Sequence, residues 1–352
     1  MSVTFDAPPE QPKRSSGPGV AALIAIFAVI GIVVFGGDFE TSIEQISTTT
    51  TQAPIALEDR IPGLTGTVHA IVAGSTGSKY VRWPAGQLAP VTTDLDVPAG
   101  RFNVDATSIA ALEPIGDGTR ANLWIGQPDD MSLAIPDVTG FAWHDSEPAF
   151  IAATRELGGI HQVWVGNATT QGYIFRSLAT LPDGGVVDAL GDWGIAVNLD
   201  NGRNHDILVF DQFGNLMRQY TGTTLGQRAG ASGGIVIDRG DGTDPVVAYP
   251  AGESDLDLPA AGKVLQIGWA ASGDRVAVSV RDGGIRLVRI IDNDQIMAES
   301  RIAVNALHWS PDGRFIVMAT TTGDLSIFDT SVSTLTTVPI SGDVYEVLLT
   351  EG

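Results

Sequence analysis

Two kinds of apolar pattern divide the chain. The first is one uninterrupted run: residues 20–35 are all apolar or glycine, and Pro18, Gly19, Gly36 and Gly37 extend it. That length makes roughly 30 Å of helix, enough to span a bilayer. No polar residue marks any face of the run, so it does not read as a core helix of a water-soluble domain. The second pattern begins after residue 64 and repeats. Short β-rich segments end at Trp83, Ile125, Val165, Phe210, Tyr249, Arg289 and Phe328, at intervals of 42, 40, 45, 39, 40 and 39 residues. Turns rich in Gly, Asp or Asn precede them, such as Gly116-Asp117-Gly118, Asp282-Gly283-Gly284 and Thr322-Gly323-Asp324. These residue types tolerate the positive φ that tight hairpins require.

Before each turn lies a second apolar strand, at 68–73, 109–112, 150–153, 195–199, 235–237, 276–280 and 315–319, so seven hairpins result. A third strand sits upstream at 138–143, 186–190, 264–269 and 304–309, and a looser fourth follows, as at 335–340. Four strands per unit of about 40 residues predict an all-β, seven-bladed β-propeller over residues 64–352. The chain enters the ring on a second strand near Thr65, with no innermost strand before it. Its last segment, Asp343–Thr350, has innermost character and no hairpin after it. The pattern therefore predicts that the C-terminal strand closes the first blade and removes an open sheet edge.

Lys13 and Arg14 precede the long apolar run, and the first charges after it are Asp38, Glu40 and Glu44. By the positive-inside rule the N-terminus is cytoplasmic and the propeller extracytoplasmic, with residues 18–37 as a single transmembrane helix. A small-x-small cleavage site is missing at Val33-Val34-Phe35-Gly36-Gly37, which favours an uncleaved anchor over a signal peptide. Residues 1–17, mixed Pro, Gly and Ser, are expected to form a disordered cytoplasmic tail. Residues 38–63, with the run Ser47-Thr48-Thr49-Thr50-Thr51, are expected to be a solvated tether.

Composition narrows the chemistry. With 41 Asp and Glu against 20 Lys and Arg, the net charge of −21 argues against a nucleic-acid partner and favours cationic partners or divalent ions. Zero cysteines exclude disulfides, thiolate metal sites and thiol nucleophiles.

The stretch Asn305-Ala306-Leu307-His308-Trp309-Ser310-Pro311-Asp312-Gly313-Arg314-Phe315, followed by Phe328-Asp329, resembles a WD40-type or TolB-like bacterial propeller repeat. Gly268-Trp269-Ala270-Ala271-Ser272-Gly273-Asp274-Arg275 is a looser copy, Phe210-Asp211 matches Phe328-Asp329, and Trp143 occupies the tryptophan position. Trp193 is displaced from it. The resemblance implies a bacterial-style propeller acting as a binding platform, and the fold by itself implies no activity.

Asp238, Asp241 and Asp244 crowd one short turn, where oxygen ligands could collect Ca²⁺. The turn is similar to the calcium loops of integrin-type propellers, although their spacing is longer; the same residues make sense as a plain hairpin turn, since Asp and Gly favour turns. The same turn holds the tripeptide Arg239-Gly240-Asp241. His69, His144, His161, His205 and His308 are never close enough in sequence to form a local metal pair. Glu113, Glu147, Glu156 and Glu346 could converge across blades, as propeller glycosidases require. Trp124, Trp164, Trp269 and Trp309 read as packing between blades. Asn167-Ala168-Thr169 is a glycosylation triplet on a loop. Together these features lead to the expectation of a membrane-anchored, non-enzymatic scaffold that binds an envelope protein without a cofactor. The alternative is a tethered hydrolase or dehydrogenase working in the central funnel, which acidic residues converging from three or more blades would favour.

Overall fold

The computed structural model describes residues 55–351 apart from 74–76, 96–99, 201–204, 229–232, 241–243, 251, 253, 293–294, 339 and 341. The expected tail, the anchor at 18–37 and most of the tether lie outside the described residues. Among the described residues no helix is long and apolar enough to cross a membrane.

The described part is built of antiparallel sheets. The first places β27 (Asp343–Thr350), β1 (Thr67–Ala73), β2 (Ser78–Pro84) and β3 (Val91–Leu95) side by side in that order. The next has seven strands: β4 (Gly100–Phe102), β5 (Ile109–Ile115), β6 (Arg120–Gln127), β7 (Asp130–Trp143), β8 (Phe150–Leu157), β9 (Ile160–Thr169) and β10 (Gly172–Thr180). Four four-stranded sheets follow. They are β11 (Val186–Gly191), β12 (Gly194–Asp200), β13 (His205–Phe210), β14 (Leu216–Thr221); then β15 (Thr223–Arg228), β16 (Gly234–Asp238), β17 (Val246–Ala248), β18 (Leu256–Asp257). The last two are β19 (Lys263–Trp269), β20 (Arg275–Asp282), β21 (Ile285–Asp292), β22 (Gln295–Ser300); and β23 (Val304–Trp309), β24 (Phe315–Thr320), β25 (Leu325–Asp329), β26 (Thr334–Val338).

The expectation of seven separate four-stranded sheets is therefore met in part, because six sheets form. The merger has a local cause. β7 pairs with β6 from Asp130 to Val138 and with β8 from Val138 to Trp143, without a break between. No Gly or Asn cluster interrupts it there. The chain bends instead at Pro136-Asp137, where Asp137 takes φ 60° and its carboxylate accepts a hydrogen bond from Arg120 at 3.1 Å.

Second strands are buried on both faces, unlike a strand with one wet side: every residue of β24 is buried, and all but the last of β1. Each lies inside its sheet with neighbouring sheets on either face, so apolar runs replace alternation. Tight hairpin chemistry explains the Trp309-Ser310-Pro311-Asp312-Gly313 connection. Ser310 Oγ donates to Asp312 and accepts from the Phe315 amide, while the Arg314 amide donates to Asp312 at 3.0 Å.

β27 closes the first sheet as the sequence predicts. Val68 stands opposite Leu349 and Ala70 opposite Val347. Gly66, at φ 89°, allows the approach, since a Cβ there would lie 2.0 Å from the Thr350 carbonyl oxygen. His69 latches the same seam, with Nδ1 2.7 Å from the Tyr80 hydroxyl and Nε2 3.0 Å from Thr350 Oγ1.

The tether boundary needs correction. Residues 55–63 are packed rather than extended: the short helix α1 (Leu57–Arg60), with Ile61 and Leu64, buries Leu57, Ile61 and Leu64 against Phe315, Ile327 and Leu349. Arg314 donates to the Pro62 carbonyl at 2.9 Å. Apolar residues spaced four and three apart drive this docking, which the surrounding Pro and Thr obscure in the sequence.

Burial, with a smaller push from Arg82, lowers the His69 pKa from 6.5 to about 4. The folded state thus binds fewer protons than the unfolded chain between those values, so this stabilisation is complete above pH 6.5 and is lost as pH falls through 4. Replacing His69 with Gln is expected to reduce the slope of melting temperature against pH in that window. An unchanged slope would show that His69 is not held neutral.

Candidate functional site: the central channel

The innermost strands create a channel of about 750 Å³, within the usual range for ligand cavities. Its wall draws on seven of them: β27, β4, β7, β11, β15, β19 and β23. Six share a device the sequence reading did not find. In each, one residue is skipped by the ladder to the second strand: Thr139, Asp188, Leu225, Leu265, Asn305 and Tyr345. A bulge of this kind re-aims a side chain, and every one of the six lines the channel.

Among the described residues three charged groups stand on this wall: Arg101 from β4, Asp188 from β11 and Glu346 from β27. The backbone at Arg101 is fixed by Trp143, whose indole N–H donates to its carbonyl at 3.0 Å; Trp309 makes the same bond to Gly268 at 2.9 Å. Asp188 accepts a hydrogen bond from the Asn198 amide, and Asn198 accepts one from Thr224 at 3.0 Å, which links two sheets. Burial pushes Asp188 up to about 6, against the opposing pull of Arg101 and Asn198. Burial raises Glu346 further, to about 7, although Arg101 and the Phe102 amide oppose it. Glu346 retains some accessible surface, and that surface faces the channel.

The sign of the Glu346 shift sets a pH dependence. Its folded pKa exceeds the ordinary 4.5, so its contribution is fully present below 4.5 and is lost as pH rises through 7. Glu346→Gln, neutral at every pH, is expected to be more stable than the parent at pH 8 by about 1–3 kcal/mol. Urea unfolding checks this, and a less stable variant at pH 8 would contradict it.

Of the four glutamates singled out in the sequence, only Glu346 reaches the channel. Glu113 on β5 accepts from Trp124 at 2.9 Å and from Asn122 at 3.2 Å, a structural use. Glu156 on β8 stands across from His161 on β9. Glu147 lies in the loop before β8, and its amide donates to His144 at 3.1 Å. The channel thus gathers acidic residues from two sheets, Asp188 and Glu346, rather than three. Asp188 was missed because one acid in an apolar strand carries no motif. The available signal was the valine before five of the six bulged residues, as in Val187-Asp188, Val304-Asn305 and Val344-Tyr345; Thr224 takes its place before Leu225.

In the Asp-rich turn, Asp238 accepts from the Gly240 amide at 2.8 Å and Asp244 from the Ala261 amide at 3.0 Å. Asp241 lies outside the described residues, and with it the full Asp238, Asp241, Asp244 trio and the Arg239-Gly240-Asp241 tripeptide. Among the described residues no three His, Asp or Glu side chains gather to hold a metal. Trp309 is buried as expected. Trp124, Trp164 and Trp269 are half-buried, with Arg155 over Trp164 and Arg228 over Trp269. Asn167 lies on β9 rather than on a loop, and is exposed.

No protein-family model matches the chain, and no curated protein matches it in sequence. Solved structures do. The chain is similar to a putative 6-phosphogluconolactonase from Bacteroides fragilis, with a TM-score of 0.54 and 12% identity, covering 83% of this chain and 99% of that one. It is similar to a protein from Lactobacillus plantarum, with a TM-score of 0.52 and 12% identity, covering 81% and 99%. TolB from Acinetobacter baumannii gives 0.49 and 15%, covering 81% and 67%. At these identities the first two likenesses show a β-propeller fold, and no activity follows from them.

Proposed function

We propose that the chain is a membrane-anchored, extracytoplasmic binding module. It is a seven-bladed propeller, held through residues 18–37, that recognises an envelope protein partner and catalyses no reaction. Counting the two halves of β7 separately gives seven four-strand units, which supports the blade number. The observation that carries the binding reading is the channel itself, a closed ring of strands presenting side chains from separate sheets on a rigid frame. Anchoring and orientation rest on the apolar run and on Lys13 and Arg14 before it. A second reading, the tethered enzyme, draws on Asp188 and Glu346, whose pKa values near neutrality suit acid–base work.

Crosslinking in intact bacteria, followed by purification of the full chain from membranes, separates the two. One envelope protein recovered in near-stoichiometric amount, and retained by Glu346→Gln, is the expected result. No partner, together with a hydrolytic or dehydrogenase turnover that Glu346→Gln abolishes, would replace the binding reading with the enzymatic one.

A further inference from the structure

The seven innermost strands follow one another round the ring, β27 beside β4 and β7 leading through β11, β15, β19 and β23 back to β27. Their side chains are not evenly mixed. Charge sits on β27, β4 and β11, as Glu346, Arg101 and Asp188, while the consecutive strands β15, β19 and β23 present only uncharged groups, Leu225, Leu265 and Leu307 together with Thr224, Gln266 and Asn305. The wall therefore has a charged arc and an uncharged arc whose largest apolar groups are the three leucines.

The charged arc is unbalanced. One guanidinium faces two carboxylates, which leaves one negative charge uncompensated when both acids are ionised. Among the described residues none of the three makes an ion pair within 4 Å. Burial raises both carboxylates, and Arg101 opposes the rise at each. The other titratable group on the wall, Tyr345, donates its hydroxyl to Ser78 at 2.8 Å. A single added positive charge would neutralise the arc, whereas an anion would add to the excess and a zwitterion would leave it unchanged.

We infer that the channel binds a small organic ammonium ion with an apolar body, its head toward Asp188 and Glu346 and its body against Leu225, Leu265 and Leu307. This names a ligand class for the site on which the binding reading rests. The chain's large negative charge draws such cations toward it. Because the ligand favours ionised carboxylates, binding tightens as pH rises through 6 and 7 and releases protons.

Three probes with one ring and different charge test it: phenethylammonium, phenylacetate and phenylalanine, titrated by calorimetry into the full chain in nonionic detergent. Phenethylammonium is expected to bind about tenfold or more tightly at pH 8 than at pH 5, with proton release seen in buffers of different ionisation heat. Phenylacetate is expected not to bind, and phenylalanine to bind more weakly. Glu346→Gln and Asp188→Asn are each expected to weaken the cation about tenfold, while Arg101→Gln strengthens it, a gain that misfolding cannot produce. Preference for phenylacetate, weakening by Arg101→Gln, affinity equal at both pH values, or no binding of any probe would overturn the inference. Recovery of an envelope partner in that case would leave the binding-module reading standing.

Discussion

Removing residues 343–352 is expected to abolish folding of the propeller rather than soften it. Those residues contain β27, the innermost strand of the first sheet, and without it β1 becomes an open edge with unpaired backbone groups. Val344, Val347, Leu348 and Leu349 leave the interior at the same time. Burying each is worth roughly 1.5–3 kcal/mol, so the four together approach the 5–15 kcal/mol that stabilises a typical domain. Three of them, Val344, Val347 and Leu349, share a core with Leu57, Phe315 and Ile327, so the loss reaches the docked entry segment and the last sheet. A truncated chain should appear in the insoluble fraction, or melt without a cooperative transition by circular dichroism. A soluble truncated chain melting within a few degrees of the parent would refute this. The graded version, Leu349→Ala, is expected to cost about 2–5 kcal/mol while leaving the fold intact.

The second large effect is expected at Asp329, the acid of the Phe328-Asp329 pair in the best-matched repeat. Its side chain is 8% exposed, and Arg314 reaches it through Nη2 at 2.7 Å and Nε at 3.3 Å. Ser331 adds its amide at 2.9 Å and its hydroxyl at 2.6 Å. Burial alone would raise this carboxyl, but Arg314 and Ser331 outweigh it and hold the pKa at about 2. Because that lies below the ordinary 3.8, the stabilisation is complete above 3.8 and is lost as pH falls through 2. Asp329→Ala should cost about 3 kcal/mol at pH 7, the lower end for a broken buried pair because Arg314 is partly exposed. Arg314 also stacks on Phe315 and holds the Pro62 carbonyl, so the double variant with Arg314→Ala should cost less than the sum of the singles. Urea unfolding of the two singles and the double measures this. A loss under about 1 kcal/mol for Asp329→Ala would place the pair among ordinary surface bridges.

The hairpins were legible in the sequence because an apolar run, a Gly or Asp turn and a second apolar run are local signals, and β1 with β2, β20 with β21 and β24 with β25 fall where they predict. The closing strand was legible too, as a lone innermost-type segment, Asp343–Thr350, left over at the end. Two innermost strands escaped. β4 is three residues long, and β15 carries Leu225 as its one large apolar residue, so neither shows a periodic pattern. The docking of residues 55–64 was hidden because its three apolar anchors sit in a segment otherwise rich in turn formers. For the site, Glu346 was visible as one of four unassigned acids. What selects it from Glu113, Glu147 and Glu156 is the curvature that turns one edge of each sheet toward a common axis, a long-range consequence of ring closure. Arg101 and Asp188 share that dependence.

Ring closure by the tail therefore underlies both the stability and the channel, and amide hydrogen exchange of the intact chain reads it directly. The amides of residues 344–349 that donate to β1 are expected to exchange as slowly as those of residues 316–319 in β24. Exchange of 344–349 within seconds, while 316–319 stay protected, would mean that the last strand is not part of the ring.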